Sequence, residues 1–296
     1  MPIKKKGDVV EGFRVMSEVG RGAASVIYLV QDQKTNQIWA LKQVEKHTDK
    51  DQRFLDQAEQ EAKVAKAVDH PGLRKIKKVI KKGSFLAVKE LFLVMEFVDG
   101  ISLEKHPPAT FESAVEIFEQ TADALAAMHE AGYIHADMKP NNIVITEGGG
   151  VKVIDLGQSC SHGTVKPRIQ GTPDYIAPEQ VHRRPITPKT DIYNFGATMY
   201  WVLTRQHVPT ALAKGDSLVG SLDDNLIAKP KPTRELNPRV PAKLDELVMH
   251  CVEVDPDKRP HSMREVTDRL NLILGIVRAK GESSQHGAPR ISDEPE

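Results

Sequence analysis

The chain has 296 residues, 40% of them apolar and 28% charged, which is enough for one large domain or two lobes with a buried core. Lys+Arg and Asp+Glu both number 41, so no net field recruits nucleic acid or an anionic membrane surface. The two cysteines, Cys160 and Cys251, lack partners at metal-ligand spacing and build no disulfide framework, which suits a reducing, cytoplasmic setting. The Lys-rich start is followed by no apolar core of the signal-peptide kind. The longest apolar stretch, Phe195 to Leu203, falls far short of the roughly 20 residues that span a bilayer. No membrane span is expected, and nothing in the pattern specifies an oligomer.

Residues 1 to about 11 read as a polar lead-in. Alternating apolar runs, Phe13 to Val19 and Val26 to Val30, flank Gly20-Arg-Gly-Ala-Ala-Ser25, and a third, Ile38 to Val44, follows a turn at Lys34-Thr-Asn36. Short strands joined by tight turns predict an antiparallel sheet. Gly20 and Gly22 would let backbone N–H groups approach a phosphate closely. Lys42, between apolar neighbours on the third run, is costly to bury without a partner. The helix predicted over Asp51 to Val68, stopped by Asp69-His-Pro71, offers two, Glu59 and Glu61. The basic segment Arg74 to Lys82 reads as a solvated hairpin rather than a docking patch. Glu90 to Gly100 is a buried strand that runs into a linker.

Apolar residues at helical spacing from Phe111 to Ala131 predict a helix capped by Gly132. The stretch Tyr133-Ile-His-Ala-Asp-Met-Lys-Pro-Asn-Asn-Ile-Val-Ile145 then presents a carboxylate at Asp137, an ammonium at Lys139 and an amide at Asn142. Phosphoryl transfer to a hydroxyl needs a carboxylate to orient the acceptor, a cation on the moving group and ligands for a metal. A Gly148-Gly-Gly150 turn leads to Val151 to Ile154 and Asp155-Leu-Gly157, where Asp155 could share a hard cation with Asn142. The polar segment Ser159 to Gln170 ends in Gly171-Thr-Pro-Asp-Tyr-Ile-Ala-Pro-Glu179. Asp191 to Leu203 has the all-round apolarity of a buried helix. Residues 205 to 240 are rich in Pro, Lys and Asp and their pattern assigns no elements, Leu244 to Val254 reads as a helix, and Ser262-Met-Arg-Glu265 has capping-box spacing for a last helix to about Lys280. Residues 281–296 lack apolar content and are expected to be a disordered tail.

In this order these motifs resemble those of serine/threonine protein kinases. His135 to Asn142 is similar to the catalytic loop His-Arg-Asp-Leu-x-x-x-Asn, with Ala136 in place of Arg. Asp155-Leu-Gly157 resembles Asp-Phe-Gly, Ala40-Leu-Lys42 resembles Val-Ala-Ile-Lys, and Gly171 to Glu179 resembles the close of the activation segment. The glycine-rich loop matches less well, because Ser25 stands at its third glycine. The resemblance implies an α+β, two-lobed fold over residues 12–280. The N-lobe (about 12–95) holds an antiparallel sheet and one helix, the hinge spans about 96–100, and the C-lobe (about 101–280) is mainly helical. It also implies ATP with Mg2+ or Mn2+ as cofactors and protein substrates. Gly20, Gly22, Ser25, Ile27, Ala40, Met95, Glu96, Val98 and Val144 would line the nucleotide site, with Met95 as gatekeeper and the Glu96 and Val98 backbones facing adenine. Lys42, paired to Glu61, would hold the α- and β-phosphates, and Asn142 and Asp155 the metal. Asp137, Lys139 and Thr172 would be catalytic, Asp191 would brace the loop, and Arg259 would pair with Glu179. Lys139 favours serine or threonine over tyrosine acceptors.

Two other classes compete. Ala136, Leu156 and Ser25 would also suit a pseudokinase scaffold, although none of them would touch metal. A small-molecule phosphotransferase of related fold would have no use for the Gly171 to Glu179 segment. Regulation is also legible. A phosphate on the activation segment is usually gripped by the arginine that Ala136 replaces, with help from positions that are here Gln57 and Cys160. The usual phosphoacceptor position is itself a cation, Arg168. The expectation is activity without phosphorylation of Ser159, Ser161 or Thr164.

Overall fold

The computed structural model describes residues 4–22, 24–84, 87–210, 212 and 227–286. Its first half is an antiparallel sheet in the order β1-β2-β3-β4-β6-β5. These strands are β1 (Val9–Val10), β2 (Phe13–Arg21), β3 (Ser25–Asp32), β4 (Ile38–Glu45), β5 (Ile76–Ser84) and β6 (Ala87–Glu96), with helix α1 (Gln52–Ala67) inserted between β4 and β5. Side chains alternate across a strand, so each inner strand serves two cores. Leu41, Phe92 and Val94 face one way, with Tyr28 and Val30. Ala40, Val44, Leu91, Leu93 and Met95 face the other, onto Leu55 and Ala58 of α1. This is the strand-rich lobe with one helix that the sequence predicts.

One boundary moves. Val9 and Val10 lie in the segment expected to be lead-in, yet they pair with Arg14 and Phe13. The turn between them, Glu11 (φ 52°) and Gly12 (φ 87°), is left-handed at both positions, the twist that matches a two-residue hairpin.

The second half is mainly helical, with α2 (Phe111–Glu130), α3 (Pro178–Val181), α4 (Pro188–Thr204), α5 (Thr233–Leu236), α6 (Ala242–Cys251) and α7 (Met263–His286). Its small sheet has the order β10-β9-β7, formed by β7 (Gly100–Ser102), β9 (Ile143–Thr146) and β10 (Val151–Val153). A two-stranded ladder joins β8 (Tyr133–Ile134) to β11 (Cys160–Ser161). Helix α4 is buried nearly all round, as its composition predicts, and Phe195 meets Phe118 of α2 edge to face at 6.1 Å between ring centroids. Leu247 of α6 and Leu270 of α7 join the same core. The chain is therefore α+β and two-lobed, as expected. Helix α7 runs to His286, past the Lys280 at which the sequence ends it, so residues 281–286 are backbone helix rather than tail. Residues 287–296 and 213–226 lie outside the described residues.

Candidate active site

The alternation of β4 decides where Lys42 points. It shares a face with Ala40 and Val44, against α1, and Glu61 lies on the buried stripe Leu55, Ala58, Glu61, Val64 of that helix. Lys42 Nζ donates to Glu61 Oε2 at 2.7 Å. Of the two candidate carboxylates, Glu61 is thus the partner, and Glu59 pairs at the surface with Lys81, also at 2.7 Å. Burial alone would lower the Lys42 ammonium, but the Glu61 and Asp155 carboxylates outweigh it and raise it above its ordinary value. The second Glu61 oxygen accepts Nη2 of Arg74 at 2.9 Å. Arg74 is therefore a correction to the reading of segment 74–82 as solvated throughout. Backbone bonds from Arg74 N to Val153 O (3.1 Å) and Val153 N to Gly72 O (2.7 Å) fasten this corner to β10.

The residues expected around a nucleotide gather at the junction of the lobes. Ala40 lies opposite Met95 in the β4–β6 register, and both are buried, as is Val144 on β9. Ile27 and Val98 are half-buried. Glu96 differs from a bare backbone contact, because its carboxylate binds Lys152 Nζ at 2.7 Å and accepts Lys75 N at 3.1 Å. Gly100, just beyond, has no room for a side chain: a Cβ would lie 2.4 Å from the Ile145 carbonyl oxygen. Gly20 sits on β2, and the Gly22 amide donates to Ser25 O at 2.8 Å, closing the turn before β3.

The loop after β8 is set by a buried carboxylate. Asp191, in the first turn of α4, accepts His135 N at 2.8 Å and Ala136 N at 2.7 Å, as expected. His129 Nε2 adds a third contact at 2.8 Å. Burial would raise Asp191, but these groups hold it below the usual carboxylate value. Ala136 takes φ 61°, and its methyl packs with Ile134, Cys160 and Ile186. Asn142 closes the loop from the other end, its Nδ2 donating to Asp137 O at 2.9 Å.

Two predicted residues, Lys139 and Thr172, converge on Asp137. Lys139 Nζ lies 3.0 Å from Asp137 Oδ2, and Thr172 Oγ1 donates to Asp137 Oδ1 at 2.8 Å while accepting from Lys139 Nζ at 2.8 Å. The triangle fixes both carboxylate oxygens. Behind it, Gln180 Nε2 donates to Ala136 O (2.8 Å) and Gln170 O (3.2 Å), and Asn194 Nδ2 meets Gln180 Oε1 at 2.9 Å. Glu179 takes both guanidinium nitrogens of Arg259, at 2.8 and 3.0 Å.

Asp155, two residues past β10, takes a left-handed conformation (φ 62°, ψ 68°), and Leu156 behind it is buried. Among the described residues neither the Asp155 carboxylate nor Asn142 Oδ1 accepts a hydrogen bond, so three hard oxygens are left open to a cation. They fit Mg2+ or Mn2+, which bind few protein oxygens and complete their shell with phosphate and water. No group of three or more His, Cys, Asp or Glu among the described residues could hold a metal by itself. Arg74, Gln180, Asn194 and the Glu96–Lys152 pair are contributions that motif spacing misses. Only Gln180, polar at the head of a helix, offered a local hint.

A family model described as the protein kinase domain matches residues 13–269, and the chain belongs to that family. A Clostridium acetobutylicum protein named "Probable serine/threonine-protein kinase" is 28% identical over 269 residues, covering 88% of this chain and 40% of that protein. Serine/threonine-protein kinase PrkC of Bacillus subtilis is 27% identical over 299 residues, 95% of this chain and 45% of its own. Serine/threonine-protein kinase PknB of Mycobacterium tuberculosis is 28% identical over 265 residues, 86% and 41%. The chain thus spans less than half the length of these relatives. Among the described residues no helix is long and apolar enough to cross a membrane.

Proposed function

We propose that the chain is a serine/threonine protein kinase that moves the γ-phosphoryl group of ATP to hydroxyls of protein substrates. The reading is carried by the Asp137–Lys139–Thr172 triangle, closed in the same structure that closes Lys42 on Glu61. An acceptor hydroxyl entering beside Asp137 would be oriented by its carboxylate and would lose its proton to it as the new P–O bond forms. Lys139 is placed to balance charge on the transferring group, and Lys42 to hold the α- and β-phosphates. Asn142 and Asp155 would hold the metal, which when bound neutralises charge on the phosphate oxygens. Gly20, Gly22 and Ser25 would cover the phosphates from above. Ala40, Met95 and Val144 would enclose adenine, with Ile27 and Val98 at its edge.

The intact set favours an active enzyme over a scaffold, since Ala136, Leu156 and Ser25 leave it in place. Bacterial relatives named as protein kinases, together with the Gly171 to Glu179 segment, favour protein over small-molecule acceptors. Two free, buried cysteines suit a cytoplasmic setting. The enzyme is further proposed to work without a phosphate on its activation segment. Ala136 and Cys160 are buried against each other, and no cation comes from either position. Of the three candidate hydroxyls, Ser159 is buried. Transfer of labelled γ-phosphate to a generic protein substrate, compared with Asp137→Asn, tests the reading. Wild-type transfer that Asp137→Asn abolishes is the expected result, and equal transfer by both would overturn it. Dephosphorylated enzyme, checked by intact mass, should keep its activity.

A further inference from the structure

Lys166 is a lysine in the wrong place for a solvated loop. Its neighbours Val165, Pro167 and Arg168 are exposed, whereas Lys166 is turned inward and only 9% exposed. Its Nζ donates to Gln158 O at 2.5 Å. The side chain lies beside a cavity of about 600 Å3 between α1 and the segment after Asp155, whose wall also includes Gln57, Ser159, Cys160 and Arg168. Burial pushes the Lys166 ammonium down, while Cys160, Asp137 and Asp191 act the other way. A buried ammonium is costly unless it holds something.

What it holds is the middle of the activation segment. Gln158 directly follows Asp155-Leu-Gly157, so the Lys166 bond closes an eight-residue span onto the turn that carries Asp155. From Lys166 the chain runs to Gln170, pinned by Gln180, and to Thr172, which touches Asp137. Within the span the Cys160–Ile134 pairing, His162 N to Gly132 O (3.1 Å) and Gly163 N to Ile186 O (2.8 Å) tie the segment to β8 and the chain just before it, which lead into the 135–142 loop, and to the chain just before α4. Cys160 packs on Ala136, so the cation enters from the segment on the side where the loop supplies only a methyl.

We propose that Lys166 is a positioning residue: its ammonium locks segment 158–172 into the arrangement that keeps Thr172 on Asp137, in place of a phosphate. The proposal rests on the kinase reading above, and it makes the segment self-fastening. No partner or modification is needed to supply the charge.

The test compares wild type, Lys166→Met (a similar stem without charge) and Lys166→Arg (charge kept), all shown by intact mass to be unphosphorylated. Lys166→Met should lower kcat on a protein substrate about 10-fold or more, the scale on which small misplacements act. Its affinity for Mg-ATP, read by displacement of a fluorescent ATP analogue, should change less than about twofold, because Lys42 and Glu61 are untouched. Lys166→Arg should restore most of the loss. Hydrogen exchange at the amides of Cys160, His162 and Gly163 should be faster in Lys166→Met and near wild type in Lys166→Arg. Unchanged kcat and unchanged exchange in Lys166→Met would overturn the proposal while leaving the kinase reading standing. Should the wild type transfer no phosphate, the kinase reading falls, and the exchange of those amides decides the role of Lys166 alone. Should Lys166→Met fail to fold, Lys166→Leu, neutral and with no donor for Gln158 O, is read the same way.

Discussion

Arg259 offers the sharpest test of the architecture, because every polar atom of its side chain is committed. The guanidinium is buried, forks onto both oxygens of Glu179, and donates to the carbonyls of Glu253 (2.7 Å), Lys189 (2.8 Å) and Val254 (2.9 Å). It also lies over the Tyr193 ring at 4.8 Å, and burial has pushed the Tyr193 hydroxyl up to about 12. Truncation to alanine leaves a buried carboxylate unpaired and takes a donor from three carbonyls. Breaking such a pair costs roughly 3–5 kcal/mol. A domain of this size loses roughly 2–4 °C of midpoint per kcal/mol, so Arg259→Ala should melt roughly 6–20 °C below wild type. Lysine cannot reproduce the fork, and Arg259→Lys should fall in between. The double variant Glu179→Gln with Arg259→Met should lose much less than the sum of the single losses, because no lone charge remains. Thermal unfolding followed by circular dichroism reads wild type, these variants and the two singles Glu179→Gln and Arg259→Met. A midpoint for Arg259→Ala within about 2 °C of wild type would refute the reasoning.

Lys42→Ala and Asp155→Asn should each abolish phosphoryl transfer while the melting profile stays cooperative, since such electrostatic contacts are worth about 10²–10³ in rate. Retention of more than about a tenth of wild-type turnover by either would remove it from the assigned role. Cys251 is buried and its thiol is pushed up to about 12, and burial also raises Cys160. A raised thiol keeps its proton until the pH climbs toward that value, so thiolate is scarce at pH 8. A colorimetric thiol reagent should therefore find no fast-reacting group in the native protein and both thiols after denaturation. A rapid native reaction would show that one of them is open.

Much of the site was legible because its chemistry is local in sequence. Asp137, Lys139 and Asn142 fall within one turn of chain, and the alternation of β4 put Lys42 on the face that meets α1. Thr172 was legible only through its motif; its bond to Asp137 spans 35 residues. The contacts that escaped are those with no periodicity to betray them. Arg74 looks like one more cation in a basic run, and it reaches Glu61 only because the chain turns at Gly72 and is fastened to β10. Lys166 carries no local sign of burial. Val9 and Val10 are too short a run to alternate, and Glu11-Gly12 is not among the strongest hairpin dipeptides. At the other end, Gly281 and two serines weaken helix propensity, but adding turns to an established helix costs little once nucleation is past.

The grip of Asp191 on the amides of His135 and Ala136 gives the two halves of the cleft different frames of reference. The acceptor side is surveyed from the first turn of α4, a helix buried nearly all round, whereas Lys42 and Glu61 are surveyed from the sheet and α1. The two sides of the cleft therefore hold their geometry through different contacts. A lesion in the sheet would register first as weakened hold on the triphosphate. A lesion under the loop would register first as a slower chemical step, with the nucleotide still bound. The two kinds of damage can be told apart by measurement, and that separability is a property of where one carboxylate is anchored.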